Sequence, residues 1–268
     1  MKPSAAMSAM PQTTFVDVAG KKTQVTSGGS GTPLLYLHSA AGETEWMPFH
    51  DRLAEHHTVY VPAHPGFALS EGLDSIDDIT DLVWHTVDLL DALHLDAVPV
   101  VGFSLGAWLG VELAIIRPQR VERLVLTAAA GLHLDDAPMA ELFIDDLQQL
   151  RELLFFDPHG DAVALAMPAS LDDDRILHWI RAREATARLG WNPYLHNPRL
   201  AAHLRRVECP ALVLWGEDDR LIPPAHGAYY ASHLPRVNMH TFASCGHMVP
   251  FEKPAEFVRC VNAFLAAS

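Results

Sequence analysis

Val98-Pro-Val-Val-Gly-Phe-Ser-Leu-Gly-Ala-Trp-Leu-Gly-Val-Glu-Leu-Ala114 is the stretch on which the fold turns. An apolar run enters Gly102-Phe103-Ser104-Leu105-Gly106, and apolar residues at helical spacing leave it. A strand that passes through Gly-x-Ser-x-Gly into a helix is the context of a nucleophile elbow, a tight turn that presents a serine hydroxyl above a sheet edge. Without a Cβ, Gly102 and Gly106 allow neighbouring backbone to come close to a serine held in strained geometry.

The same alternation of strand and helix extends to both sides. Residues 13–18 and 21–26 alternate polar and apolar around Ala19-Gly20, predicting an antiparallel hairpin at a sheet edge, with Ser27-Gly28-Gly29-Ser30-Gly31 ending it. Leu34-Leu35-Tyr36-Leu37 is a continuous apolar run, as expected of a strand buried on both faces. Residues 46–56 predict a helix, 58–61 a strand and 62–67 a turn; Ile79, Leu82, Val83, Val87, Leu90 and Leu93 then mark a helix within 76–93. Arg117-Pro118 stops the helix after the elbow, and 121–127 gives another strand. From 133 to 206 the rhythm changes to helical segments at 141–155, 175–189 and 199–206. Strands return at 211–215 and 237–242, with helices starting near Ala225 and at Pro254. The expected architecture is α/β: a mostly parallel central sheet flanked by helices, with an inserted helical cap. The organisation reads as a tail at 1–12, a core at 13–132, a cap at 133–206 and the rest of the core at 207–268.

Composition narrows the functions. A net charge of −14 and a pI near 5.5, with no basic run, argue against nucleic acid or an anionic membrane as partner. The tail has no apolar stretch of the roughly 7–15 residues that a secretory signal needs. Three separated cysteines, Cys209, Cys245 and Cys260, lack metal-type spacing and point to reduced thiols in a cytoplasm. The 16 histidines form no His-Glu-x-x-His or comparable set, and no Gly-x-Gly-x-x-Gly or Walker-type loop occurs, so neither metal nor cofactor is expected.

A serine nucleophile needs a base, and the base needs a carboxylate to orient it. Asp219 follows the strand ending Leu214-Trp215-Gly216, and His247 sits between the last strand and the last helix. Ser104, Asp219 and His247 thus stand in the order Ser…Asp…His, each past the carboxyl end of a strand. With these residues in view, the chain resembles the α/β-hydrolase family over nearly all of its length outside the tail. Leu37-His38-Ser39-Ala40 looks like that family's oxyanion loop, and His64-Pro65-Gly66-Phe67-Ala68-Leu69-Ser70 is similar to its Pro-Gly-x-Gly-x-Ser stretch. Gly216-Glu217-Asp218-Asp219 resembles its Gly-x-x-Asp acid turn, which selects Asp219 over Asp218, and Gly246-His247 resembles its histidine loop. Some members place the acid one strand earlier; here Ala128-Ala129-Ala130-Gly131 offers none. Two departures touch backbone shape: Ser39 and Ala68 stand where the family has glycine.

The resemblance implies acyl transfer, with Ser104 as nucleophile, His247 as base, Asp219 as its orienting acid, and the amides of Ala40 and Leu105 as oxyanion hole. Ser39, Phe103, Phe143, Trp179, Trp191 and Met248 are the pocket candidates. Carboxylic ester hydrolysis of small to medium apolar substrates is the leading expectation. Its alternatives are C–C bond hydrolysis of vinylogous diketones, as in meta-cleavage product hydrolases, and a low-turnover ligand receptor. The partner expected is a small-molecule ester or related carbonyl compound, and a homodimer is left open.

Overall fold

Apolar runs that are buried on both faces have to lie inside the sheet, and the strand order follows from that. The computed structural model describes residues 10–267. Its N-terminal half contains β1 (Gln12–Val18), β2 (Lys21–Gly29), β3 (Thr32–Leu37), α1 (Pro48–Ala54), β4 (His57–Pro62), α2 (Ile79–Ala92), β5 (Val98–Phe103), α3 (Leu105–Ile116) and β6 (Val121–Thr127). The helical segment α4 (Leu147–Leu154), α5 (Asp161–Ala166), α6 (Ile176–Gly190) and α7 (Leu200–His203) follows. The sheet resumes with β7 (Ala211–Gly216), α8 (Pro224–His233), β8 (Val237–Phe242), α9 (Val249–Glu252) and α10 (Pro254–Ala266). The eight strands lie in the order β1-β2-β4-β3-β5-β6-β7-β8. β1–β2 and β2–β4 are antiparallel and every other pair is parallel.

Burial matches the sequence pattern. Leu34, Leu35, Tyr36 and Leu37 of β3 are wholly buried, as are Val100 and Val101 of β5. The edge strand β8 is mostly open to solvent. α2 begins at Asp78, whose carboxylate accepts the amides of Thr80 (2.7 Å) and Asp81 (3.2 Å), satisfying two donors that a helix start leaves free. Parallel pairing from β4 to β8 brings the carboxyl ends of β3, β5, β7 and β8 to one edge. The four loops that leave these ends carry residues 38–42, Ser104, 217–219 and 243–247.

Several expectations shift. Of the tail read at 1–12, residues 1–9 lie outside the described residues, and Gln12 already pairs with Ser27 in β1. The glycine run does not end the hairpin: Ser27, Gly28 and Gly29 belong to β2, and Gly29 pairs with Thr58. A Cβ on Gly29 would meet the His57 carbonyl at 2.2 Å, so glycine is what allows this approach. The helix expected over 141–155 is confined to α4, and sequence reasoning missed α5 and α9. Among the described residues, no helix is long and apolar enough to cross a membrane.

Ala68, where the family that the chain resembles has glycine, adopts φ 47°. A left-handed residue other than glycine costs roughly 1–2 kcal/mol, part of which glycine returns through its freer unfolded chain. Ala68→Gly is therefore expected to stabilise the fold by about 0.5–1 kcal/mol and to raise Tm by roughly 2 °C, read by calorimetry. A lowered Tm contradicts the strain at this turn.

Candidate active site

The turn from β5 into α3 places Ser104 at φ 53° and ψ −110°, a conformation that L-residues seldom adopt. The surroundings impose it. Ser104 N–H donates to Thr127 O of β6 (2.9 Å), and Ser104 O accepts the amides of Ala107, Trp108 and Ala130 (3.0–3.2 Å). Close packing does the rest: a Cβ on Gly102 would meet the Ala107 Cα at 2.5 Å, and one on Gly106 would meet the Leu37 carbonyl at 2.0 Å. Strain of this kind, held by several contacts at once, is a feature of functional sites.

The structure brings Ser104, His247 and Asp219 together. His247 Nε2 lies 3.0 Å from Ser104 Oγ, and Nδ1 lies 2.8 Å from Asp219 Oδ2. A carboxylate only accepts, so Nδ1 carries the proton towards Asp219 and Nε2 is left to accept from the serine hydroxyl. Asp219 Oδ1 accepts the amides of Leu221 (3.0 Å) and Ile222 (2.9 Å), which sets the carboxylate plane. Both side chains of the His–Asp pair are nearly excluded from solvent. In such a setting a hydrogen bond to an ionised group is worth more than at the surface.

The histidine loop is anchored from the helical segment. His247 N–H donates to Leu154 O at the end of α4 (2.8 Å). The Glu252 carboxylate accepts Gly246 N–H (2.9 Å) and Phe156 N–H (3.1 Å). Burial raises Glu252 above the ordinary carboxyl range, and these two amides oppose the shift. Glu252 belongs to the stretch after His247 that resembles the family's histidine loop, whereas the Leu154 anchor is a backbone carbonyl and leaves no residue signature.

Opposite Ser104 lies the loop after β3. Ser39 N–H and Ser39 Oγ–H donate to the two oxygens of Glu43 (2.8 and 2.7 Å), and Ala41 N–H donates to Ser39 Oγ (3.0 Å). Ala40 N–H and Leu105 N–H have no acceptor among the described residues. Leu105 opens α3, where unsatisfied amides carry the positive end of the helix dipole. Burial pushes the Glu43 carboxyl up, against the pull of the Ser39 hydrogen bonds. His38 is neutral in this arrangement: Nδ1 donates to Ser39 O (2.8 Å) while Nε2 accepts His64 N–H (3.0 Å).

A cavity opens over Ser104 and His247, lined mainly by apolar side chains. Of the pocket candidates, Ser39, Phe143, Trp179 and Met248 face it. Phe103 and Trp191 do not. Phe103 is the last residue of β5, wholly buried, with its ring 5.5 Å from that of His247, so it packs behind the imidazole. Trp191 is 67% exposed and meets Phe143 from outside at 5.6 Å. Twelve residues separate it from Trp179, about a third of a turn off that residue's helical face. Sequence reading missed Ala41, Leu150, Leu154, Arg183, Thr186 and Leu221 of the lining. Trp179, Arg183 and Thr186 fall at i, i+4 and i+7 of α6, a spacing that could have revealed two of them. Among the described residues, no group of histidine, cysteine and acidic side chains has a metal-holding arrangement, and all three cysteines are free.

Known proteins resemble this chain in both fold and sequence. The family model described as alpha/beta hydrolase fold matches residues 32–254. A 2-hydroxymuconate semialdehyde hydrolase of Pseudomonas sp. (strain CF600) is 31% identical over 263 residues, 92% of each chain. A pimeloyl-[acyl-carrier protein] methyl ester esterase of Nitrosomonas europaea is 28% identical over 261 residues, 88% of this chain and 96% of that one. The solved meta-cleavage product hydrolase from Pseudomonas fluorescens IP01 superposes with a TM-score of 0.78 at 20% identity, covering 94% of this chain and 97% of that one.

Burial lowers His38 and His50 to about 3 and His85 to about 4, below the ordinary 6.5 of the unfolded ring. A depressed folded value means that stability is full above about pH 6.5 and is lost as pH falls towards 4 and then 3, because the unfolded rings take up protons first. Between pH 7 and pH 5 the loss is on the order of 1–2 kcal/mol per ring. Glu43, Glu112 and Glu252, raised by burial, act in the opposite sense and reduce it. Urea unfolding at the two pH values measures the balance, expected to favour pH 7; greater stability at pH 5 contradicts neutral buried rings.

Proposed function

We propose that this chain, a hydrolase that belongs to the alpha/beta hydrolase fold family, cleaves a carbon–carbon bond in 2-hydroxy-6-oxo-dienoate acids with Ser104 as nucleophile. The observation that carries the reading is the near full-length likeness to a 2-hydroxymuconate semialdehyde hydrolase. A second observation agrees with it. Arg183 is the one Lys or Arg side chain that lines the mainly apolar cavity among the described residues. Its guanidinium lies 4.6 Å over the Trp179 ring and donates to Leu142 O and Ile144 O (3.1 Å each), which fixes a positive charge at the cavity wall. A dienoate carries a carboxylate; an apolar ester does not. Ester hydrolysis, the leading expectation from sequence, therefore becomes the second reading, kept because of the likeness to the methyl ester esterase.

The chemistry follows from the site. The substrate's dienol ketonises first, moving its hydroxyl proton to the carbon beside the ketone. Ser104 Oγ then adds to the ketone carbon while His247 Nε2 takes its proton, and Asp219 holds the imidazole in the required tautomer. The oxyanion is received by the amides of Ala40 and Leu105. Collapse of the adduct breaks the C–C bond, and the electron pair passes into the conjugated 2-oxo acid fragment as a dienolate, which takes the proton from His247. Water, deprotonated by the same histidine, releases the acyl group from Ser104 as a carboxylic acid. An ester would use identical machinery, with an alkoxide leaving in place of the dienolate.

Steady-state kinetics with a 2-hydroxy-6-oxo-hexa-2,4-dienoate and a p-nitrophenyl ester separates the two readings. The dienoate is expected to have the higher kcat/KM, by about tenfold or more. Ser104→Ala is expected to lower both by at least about a thousandfold. Ester turnover that depends on Ser104, with an inert dienoate, assigns the esterase reading instead.

A further inference from the structure

The loop from Ser39 to Gly42 has to turn an amide outward, away from the backbone that would otherwise satisfy it. Where the family has glycine this chain has Ser39, and the side chain is fully used. Glu43, 6% exposed, takes Ser39 N–H on one oxygen at 2.8 Å and Ser39 Oγ–H on the other at 2.7 Å. The serine oxygen then accepts Ala41 N–H at 3.0 Å. Other groups of the loop are held too: Ser39 O accepts Gly42 N–H (3.1 Å) and the His38 ring (2.8 Å), and His178 Nε2–H donates to Gly42 O (2.8 Å), while the Thr186 hydroxyl, whose proton goes to Ala182 O (2.8 Å), lies 3.3 Å from Ala40 O. Of the three successive amides 39, 40 and 41, the outer two are bound inside the loop. Ala40 N–H alone has no acceptor among the described residues.

We propose that Glu43 is a positioning residue of the oxyanion loop: by clasping Ser39 it engages the amides on either side of Ala40 and leaves Ala40 N–H as the donor facing the cavity that Ser104 lines. The hydroxyl of Ser39 is turned into this clasp and is not itself an oxyanion donor. Nothing in the arrangement requires direct contact between Glu43 and substrate. The proposal rests on acyl transfer by Ser104 and not on the identity of the substrate, so its test is independent of the choice between ester and C–C cleavage.

The probe is a p-nitrophenyl alkylphosphonate, which forms a covalent bond from Ser104 Oγ to phosphorus, expels nitrophenolate and leaves a phosphonyl oxygen in the oxyanion hole. The second-order rate constant is read from released nitrophenolate, and the labelled residue from peptide mass. Glu43→Ala is expected to slow labelling about a hundredfold, as loss of an oxyanion donor does. Glu43→Gln, which keeps the acceptor for Ser39 N–H but not the charge, is expected to recover most of that loss, to within about tenfold of wild type. In steady-state turnover the Glu43→Ala loss is expected in kcat, with KM within about threefold, since a donor that acts on the developing charge lowers kcat more than binding.

Near-UV circular dichroism and Tm separate loop displacement from global unfolding. Should Glu43→Ala fail to fold, Ser39→Ala, which removes only the hydroxyl link to Ala41, is expected to slow labelling about tenfold. Labelling at the wild-type rate in a folded Glu43→Ala or Ser39→Ala overturns the proposal. So does Glu43→Gln as slow as Glu43→Ala, which would make the charge, not the clasp, the active element. A wild type that is not labelled at Ser104 removes instead the acyl-transfer reading on which the proposal rests.

Discussion

Gly106 lies so close to the end of β3 that no side chain fits between them, and this approach sets the geometry of everything around Ser104. The helix start and the loop after β3 share one boundary, with the Leu37 carbonyl 2.0 Å from where a Cβ on Gly106 would be. Leu105 N–H, at the first turn of α3, and Ala40 N–H, in the loop after β3, thus stand on the two sides of this contact. Any larger residue at 106 would separate them. Strain at Ser104 is the counterpart of this closeness, sustained by hydrogen bonds to β6 and to its own helix.

The rest of the site is assembled by parallel strand pairing. Because β3, β5, β7 and β8 run in one direction, loops distant in sequence emerge side by side, which is how Ser104 meets a histidine 143 residues later. Strand pairing alone leaves the histidine loop loose. Its position depends on the helical segment as well, through Leu154 O and through Glu252, which ties Gly246 to Phe156. The segment that lines the cavity with Phe143, Trp179 and Arg183 is thus also part of what holds His247. α4 both lines the cavity, through Leu150 and Leu154, and holds the histidine loop, through Leu154 O.

Much of this was legible in the sequence, for identifiable reasons. Strands buried on both faces appear as apolar runs, and a strand-to-helix turn with two glycines appears as Gly-x-Ser-x-Gly, so β3, β5, β7 and the positions of Ser104, Asp219 and His247 could be read directly. The glycine run at 27–31 was misread because glycine marks both turns and close backbone approach, and only the neighbouring strand decides between them. Trp191 and Phe103 were misplaced because bulk near a site does not say which side of an element it occupies. Arg183 went unread among the many arginines of the helical segment. Ser39 was legible as a departure from glycine and as a pocket residue; its partner Glu43 becomes visible when the loop is folded back on itself.

The chemical reading joins an elbow serine, a histidine with its proton directed towards a buried carboxylate, two amides without acceptors, and an apolar cavity with one cation. These features fit acyl transfer to either substrate class, and it is the near full-length likeness to a 2-hydroxymuconate semialdehyde hydrolase that carries the proposal of carbon–carbon cleavage. The most direct measurement of that claim is rapid-quench mass analysis of the enzyme mixed with a 2-hydroxy-6-oxo-dienoate, followed by peptide mapping. The account predicts a transient mass gain equal to the acyl fragment, located on the peptide that contains Ser104. Full conversion of substrate with no adduct at any quench time, or an adduct on another residue, would contradict it.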